Sequence, residues 1–319
     1  MTSESYLDRY LHGACVEVWA ELQALGETVS EEPLYTDVYA VARETMRRAR
    51  RNIEVLIPRL VHIGYQFGYG WLQPPPLSSF EVRERKWYTA ALAWTRTQPP
   101  MFVSASASLE DLADAQARLT FARERKAPPI IVKHWEQRVA VLQAIPTAIE
   151  QLETFERRFG ALPLSVRAWY EEVGAVNFVG SCHTWEQMLG QQTASSMQED
   201  FEEDMHGYSH YPLTVLAPLA VYPLDFLQNA AEAPHGETYR LPLLPDSNSL
   251  YAEIPQPSPW SFNFPAQSVD AVLTSNRASQ TFVEHLRRCF QFGGFPGWKA
   301  FDVRPEHELA GLSADLLPL

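Results

Sequence analysis

The most informative part of this chain is residues 155–180, FERRFGALPLSVRAWYEEVGAVNFVG. Two helical patterns here each end at a glycine, and an apolar strand pattern follows at once. The first pattern starts at Pro146, and its apolar residues recur at steps of three, three and four, the period of one helical face: Ile149, Leu152, Phe155 and Phe159. Gly160 stands where a left-handed C-terminal cap is expected. The stretch has no obvious catalytic group, so it predicts a fold and a binding role rather than a chemistry.

The second helical pattern runs from about residue 163 to Gly174, which ends it. Its inner face is formed by Val166, Trp169, Tyr170 and Val173. Pro163 suits the first turn of this helix. Alternatively Pro163 lies just outside it and Ser165 is the N-cap, because Leu162 would be a poor cap. The two alternatives differ by two residues.

Composition predicts a soluble, cytoplasmic protein with two domains. The chain has 319 residues, 46% of them hydrophobic, and no apolar run approaches the roughly 18 residues of a spanning helix. Met1–Tyr10 is polar and acidic, unlike a signal peptide. Cys15, Cys182 and Cys289 are odd in number and widely spaced, which argues against a disulfide framework or a structural zinc site. We expect three buried thiols.

The negative charge of the chain lies in its second half. Residues 1–142 contain 17 Lys and Arg and 17 Asp and Glu, whereas residues 143–319 contain 9 and 22. The densest group, which we call the acidic cluster, consists of Glu199, Asp200, Glu202, Glu203 and Asp204. It is either a solvated surface or a docking site for a basic partner. Nucleic acid is not expected as a ligand, since this charge repels phosphates.

Residues 1–142 form the first of two expected domains, and it is mostly helical. An apolar stripe predicts a helix capped by Ser3 or Ser5 and stopped by Gly26. A second helix starts near Thr36 or Asp37, and Pro58 is expected to kink or divide it. Capping-box spacings predict further helices over residues 78–96 and 108–125.

Residues 143–319 form the second expected domain, which is α+β. Its strand candidates are short apolar runs separated by turn residues, which favours an antiparallel sheet: 177–180, 213–223, 239–244, 250–254 and 260–264. A last helix is expected over 279–292, with Phe282, Leu286, Cys289 and Phe290 on its inner face and Gly293-Gly294 after it.

These residues together resemble the SUKH superfamily, which includes a yeast regulator of cell-wall synthesis and bacterial immunity proteins that neutralise toxins. The likeness covers about residues 146–300. It is carried by the strand 177–180, the run 217–224, the helix 282–294 and the motif residues Glu156, Gly160, Leu162, Pro163, Trp169, Tyr170 and Gly174. The usual Gly-Gly after the second helix is Gly174-Ala175 here. The resemblance implies an α+β domain that binds a protein and has no catalytic apparatus and no cofactor.

Few residues suggest chemistry. His206 and His210 are four residues apart, and with His183 and Asp204 they could bind a metal, but Gly207 and Pro212 make a helix there doubtful. We expect ordinary histidines and no metal site. Cys182 and His183 are adjacent, and on a strand adjacent side chains point to opposite faces, which argues against a catalytic dyad.

Two further groups are candidates for binding. The basic run Arg47-Arg48-Ala49-Arg50-Arg51 is expected to be a solvated face with salt bridges to Glu44 and Glu54. It could alternatively attract the acidic half of this chain or of a second copy. Tyr65, Phe67, Tyr69 and Trp71 could line a groove, but we favour their anchoring a glycine-rich turn in the core.

We therefore expect a non-enzymatic immunity protein that binds and neutralises a toxin through the acidic cluster, with a basic toxin domain as the candidate partner. No membrane contact is expected, and a homo-oligomer is possible. The alternative is a regulatory or structural scaffold that recruits a cellular partner through the acidic domain. An enzyme of unknown class ranks third.

Overall fold

The computed structural model describes residues 4–67, 109–126, 129–196, 216–232, 239–245, 260–275 and 278–319. Helices dominate the first part, and small antiparallel sheets with flanking helices follow in the second. The expected α+β class is confirmed. The helix expected over residues 78–96 and the strand expected over 250–254 lie outside the described residues. Within the described ranges, no helix is both long and apolar enough to cross a bilayer.

The chain begins with two short helices, α1 (Tyr6–Leu11) and α2 (Cys15–Ala24), where we expected one. Ser5 caps α1, because its Oγ accepts a hydrogen bond of 3.0 Å from the amide of Asp8. Gly13 separates the two helices with a φ of +102°. Its left-handed backbone turns the chain, and α1 and α2 then both pack beside the next helix.

Helix α3 (Leu34–His62) is continuous, although Pro58 was expected to kink or divide it. Proline removes one backbone hydrogen bond from a helix interior. The flanking residues Ile53, Leu56 and Leu60 are completely buried, so packing on both sides of Pro58 holds the helix together. The expected division is therefore wrong.

Helices α4 (Leu109–Glu124) and α5 (Pro129–Phe159) form a hairpin. Ala115, Leu119 and Val139 form a small apolar cluster of their own between them. The helix expected to start at Pro146 instead begins at Pro129. The expected domain boundary between residues 142 and 143 falls inside α5, and this division stays a prediction.

The second half is built from short helices and strands. The helices are α6 (Leu164–Glu172), α7 (His183–Ser196), α8 (Leu224–Ala231), α9 (Phe282–Gln291) and α10 (Glu306–Ser313). Strand β1 (Gln66–Phe67) follows α3 in the first half. The strands of the second half are β2 (Val176–Asn177), β3 (Gly180–Ser181), β4 (Ala220–Val221), β5 (Tyr239–Leu244), β6 (Trp260–Phe264), β7 (Val272–Thr274) and β8 (Ser279–Thr281). All the pairings are antiparallel, with β1 on β3, β2 on β4, and a four-stranded sheet in the order β5-β6-β7-β8.

The last predicted helix is shorter than expected, because its first three residues form β8. Thr281 then caps α9 by accepting a hydrogen bond of 3.3 Å from the Glu284 amide. After α9, Gly293 and Gly294 have φ values of +62° and +98°, as expected for a helix stop.

One apolar core joins the two parts of the chain. Trp19 of α2 and Met46 of α3 belong to the same buried cluster as Trp169 of α6 and Phe282 of α9. The β1–β3 pairing also joins the end of α3 to the second half, with Phe67 opposite Gly180. The N-terminal helices therefore cover the α+β part and share its hydrophobic stabilisation.

Candidate functional site

The acidic cluster lies outside the described residues. Helix α7 ends at Ser196, three residues before Glu199, and the described chain resumes at Leu216. The cluster therefore remains a candidate on grounds of sequence.

The motif residue Glu156 ties the end of α5 to the start of α6. One of its carboxylate oxygens accepts a hydrogen bond of 3.2 Å from the Leu162 amide, and the other pairs with Arg167. Burial raises the pKa of Glu156, and the Arg167 guanidinium opposes that shift. Between these contacts, Gly160 has a φ of +114°, and a Cβ there would lie 2.7 Å from Cβ of Pro265. Glycine is thus required by both backbone and space.

The start of α6 is capped by backbone rather than by a side chain. Pro163 occupies the N-cap position, so the alternative that places it outside the helix is the better one. The amides of Leu164 and Ser165 donate to the carbonyls of Ser268 and Val269, at 3.0 and 2.9 Å. Ser165 does not cap the helix; its Oγ accepts from the Ala271 amide at 3.2 Å.

The remaining motif residues pack inside the second half. Trp169 is fully buried, and its ring lies edge-on to Phe282 with centroids 5.3 Å apart. The Tyr170 hydroxyl donates to the carbonyl of Tyr222 at 2.8 Å. Gly174 has a φ of +90° after α6, as a helix stop requires. These positions hold helices and strands together and present no reactive group to solvent.

A buried carboxylate links α6 to α3. The Glu172 side chain is only 1% exposed and pairs with Arg43 at 2.8 Å and with Arg47 at 3.4 Å. The two arginines are 37% and 46% exposed, so water reaches their outer sides. Arg43 also lies 3.7 Å from Glu171. We call these four residues the α3–α6 ion network.

The basic run at 47–51 is therefore not a free cationic surface. Arg47 joins Glu44 and Glu172, Arg48 joins Glu44, and Arg50 joins Glu54. Both sequence-based interpretations hold in part: there are salt bridges along α3, and there is attraction to the acidic half of the same chain. Attraction of the basic run to a second copy of the chain stays a prediction.

Buried polar groups gather at the start of α9. His285 is 9% exposed, and its ring nitrogens lie 3.1 Å from Nε2 of Gln280 and 3.3 Å from Sγ of Cys289. Burial lowers the pKa of His285 to about 4, with a further lowering by Arg288. Burial also raises the pKa of the Cys289 thiol. Both groups are thus neutral at pH 7, which is unlike the thiolate that a cysteine nucleophile needs.

His285 should make the protein sensitive to acid. Because its folded pKa of about 4 lies below the usual 6.5, the unfolded chain binds the proton first. The contribution of neutral His285 to the free energy of unfolding is then fully present above pH 6.5. It falls as the pH drops towards 4, by up to about 3 kcal/mol. In urea unfolding measured from pH 7 to 4, His285→Gln should flatten this loss relative to the wild type. The raised pKa values of Glu156 and Asp270 act in the opposite sense in both proteins.

Cys289→Ala is the matched control for this measurement, because it keeps the buried imidazole. It should retain the loss of stability on acidification. A wild type and a His285→Gln variant with parallel pH profiles would contradict the assignment.

A small pocket lies beside His285. Its volume is about 20 Å³, which is room for about one water molecule, and its lining includes Ala217, Pro218, Leu244, Trp260 and His285. Ala217 has a φ of +49°, a conformation that costs energy for a residue with a side chain. The described residues of its walls are mostly apolar, and His285 is the one titratable side chain among them.

Asp270 is the second buried titratable group near α9. It is 3% exposed and accepts hydrogen bonds of 3.3 Å from the Val283 amide and from Nε2 of Gln23. Burial raises its pKa, and hydrogen bonds from Ser165 and Thr281 oppose the shift. The carboxylate thus joins the starts of α6 and α9 to α2, which is a structural task.

The other sequence candidates separate in space. Cys182 is 2% exposed, whereas His183 is exposed at the start of α7, as expected for neighbours that face opposite ways. Nε2 of His183 is 3.0 Å from Nε2 of Gln187. Asp204, His206 and His210 lie outside the described residues. Among the described residues, no three His, Cys, Asp or Glu side chains are placed to hold a metal ion.

Tyr65 and Phe67 anchor the end of α3 in the core, as favoured from the sequence. Tyr65 is 3% exposed, packs against Trp185 and Phe295, and donates its hydroxyl hydrogen to the Phe178 carbonyl. Tyr69 and Trp71 lie outside the described residues. The three cysteines are buried thiols, as expected.

Comparison with known proteins adds no assignment: no family model, no curated protein and no solved structure matches this chain.

Proposed function

We propose that this chain is a non-enzymatic, SUKH-like protein that binds another protein, and that it acts as an immunity protein which neutralises a basic toxin in the cytoplasm. The observation that carries the proposal is the charge of residues 143–319, with 22 Asp and Glu against 9 Lys and Arg. A concentrated negative field speeds the approach of a basic protein and disfavours acidic partners.

Two arginines of this half are held by groups of the protein itself. Arg167 is held between Glu156 and Glu171, and Arg287 donates to the carbonyls of Cys15 and Leu319. Their charges are therefore engaged inside the protein. Several carboxylates in the same half are exposed at its surface: Glu150, Glu153, Asp302, Glu306 and Asp315.

The titratable groups that are buried serve the fold. Glu172 and Asp270 bind side chains or amides of other elements, and His285 and Cys289 are neutral. This arrangement supports recognition by a surface rather than by a reacting group. It fits a protein that acts by covering its partner.

The test is the salt dependence of complex formation. A partner is identified by pull-down from the native cell and then titrated by calorimetry at 50 and 500 mM salt. Affinity should fall by about 10-fold or more, because added ions screen interactions between exposed charges. Replacing the acidic cluster with E199Q, D200N, E202Q, E203Q and D204N should weaken binding at low salt and remove most of the salt effect.

The matched control neutralises five exposed acids elsewhere in the same half, with E150Q, E153Q, D302N, E306Q and D315N. This variant loses the same charge and should keep most of the affinity. An affinity that is flat with salt would contradict the electrostatic mechanism. Equal losses in both variants would contradict the assignment to the acidic cluster. A partner whose growth inhibition in cells persists on co-expression would contradict the immunity role.

A further inference from the structure

Residues 314–319 lie against side chains of α3 and α9, and we call the surface beneath them the groove. We call residues 314–319 the strap. They follow α10 and form neither helix nor strand. Leu319 is 4% exposed and belongs to the main apolar core, and Leu316 packs against that core. The strap thus places two leucines, three residues apart, against the body of the protein.

Asn52 of α3 binds the strap through its main chain. It is 1% exposed, its Nδ2 donates to the Leu317 carbonyl at 2.9 Å, and its Oδ1 accepts from the Leu317 amide at 2.7 Å. Both main-chain groups of one residue are therefore bound by one buried amide. The Leu317 side chain is 36% exposed. This contact can be made to almost any residue at that position.

Three arginines complete the groove, and they too bind main-chain oxygens. Arg48 donates to Pro318 at 3.0 Å, Arg287 donates to Leu319 at 2.9 Å, and Arg59 donates to Ala314 at 2.6 Å. Hydrogen bonds with a charged donor are stronger than neutral ones. These polar contacts of the strap thus recognise an extended main chain, and the apolar contacts recognise its leucines.

We infer that this groove is a peptide-binding site which the strap occupies within the same chain, and that its ligand is an extended segment of another protein with two leucines three residues apart. Main-chain recognition by fixed side chains leaves the other positions of such a ligand free to vary. The strap would therefore be a built-in competitor.

Opening the strap exposes few groups compared with unfolding the core. The strap contributes six residues to this contact, and they regain conformational freedom when it opens. Segments of this kind open at a lower free energy than the whole protein. A tethered competitor has an effective concentration in the millimolar range, so it should weaken binding of an outside peptide by about 10-fold or more.

The probe is a fluorescein-labelled peptide with the strap sequence ADLLPL, acetylated and amidated at its ends, measured by fluorescence anisotropy with the full chain. Leu319→Ser loosens the strap, and we expect it to bind the peptide at least about 10-fold more tightly than the wild type does. Leu317→Ser is the matched control, because that side chain is partly exposed and Asn52 binds only its main chain; it should behave like the wild type. The peptide ADSLPS should bind neither variant.

Hydrogen exchange of the wild type gives a second measurement that needs no variant. The Leu317 amide should exchange faster than amides in the middle of α3. Exchange of that amide only through global unfolding would overturn the inference. A folded Leu319→Ser protein that does not bind the peptide, or a Leu319→Ser protein that cannot fold, would overturn it as well.

Discussion

Replacing Arg43 and Arg47 together with alanine is expected to lower the free energy of unfolding by about 3 kcal/mol. The double variant leaves the Glu172 carboxylate, which is 1% exposed, without its two ion-pair partners in α3. An uncompensated buried charge costs far more than the loss of a surface pair. This value is at the lower end of the usual loss on breaking a buried ion pair, because the arginines are partly exposed and water can enter beside them. Urea unfolding at pH 7 measures the difference.

Two further variants show whether the stranded charge is the cause. Adding Glu172→Gln to the double variant should recover part of the loss, because no charge is then buried. Arg118→Ala is the surface control: its pair with Asp114 has 58% and 61% exposed partners, and its loss should stay below about 1 kcal/mol. A double variant as stable as Arg118→Ala would show that the α3–α6 ion network contributes little to stability.

Trp169→Ala should cost about 4 kcal/mol, the second large effect. The indole is completely buried, packs edge-on against Phe282, and lies between α6 and α9. Truncation removes its apolar contacts and leaves a cavity that this well-filled core can close only in part. The measurement is again urea unfolding, with far-UV circular dichroism to establish that the variant is folded.

Phe121→Ala is the matched control for the tryptophan variant. Phe121 is 59% exposed on α4, so its truncation should change stability by less than about 0.5 kcal/mol. Trp169→Phe, which keeps an aromatic ring, should lie between the two. A loss at Trp169 as small as at Phe121 would contradict the central position of α6 in the core.

Local rules predicted the ends of elements well. Ser5 caps α1, and Gly160, Gly174 and Gly293 have positive φ values directly after helices. In each case the cause lies within a few residues of the chain, where capping and left-handed turns act. The strands 239–244 and 260–264 were also found from short apolar runs between turn residues.

Where these local rules failed, tertiary packing determined the secondary structure. Pro58 and Pro146 each lie inside a long helix, although proline alone predicts a break. Residues 279–281 were expected to be helical but form a strand. Their pairing with β7 is a contact with another strand, which helical periodicity in the sequence does not reveal.

The candidate site was harder to predict than the fold. The partners Arg43 and Glu172 are 129 residues apart, so nothing local indicates that they meet. His285 and Cys289 are a missed case with a usable signal, since residues four apart on one helix lie on the same face. The neutral state of this pair depends on burial, which the spacing does not reveal.

The core that joins the N-terminal helices to the second half limits how the second half can be expressed as a separate fragment. A fragment that starts at residue 143 would lack α2 and α3 and would leave the apolar residues that face Trp19 and Met46 open to water. The apolar surface exposed in this way would favour aggregation. Expression fragments should therefore include the N-terminal helices, because those helices cover the apolar side of the second half.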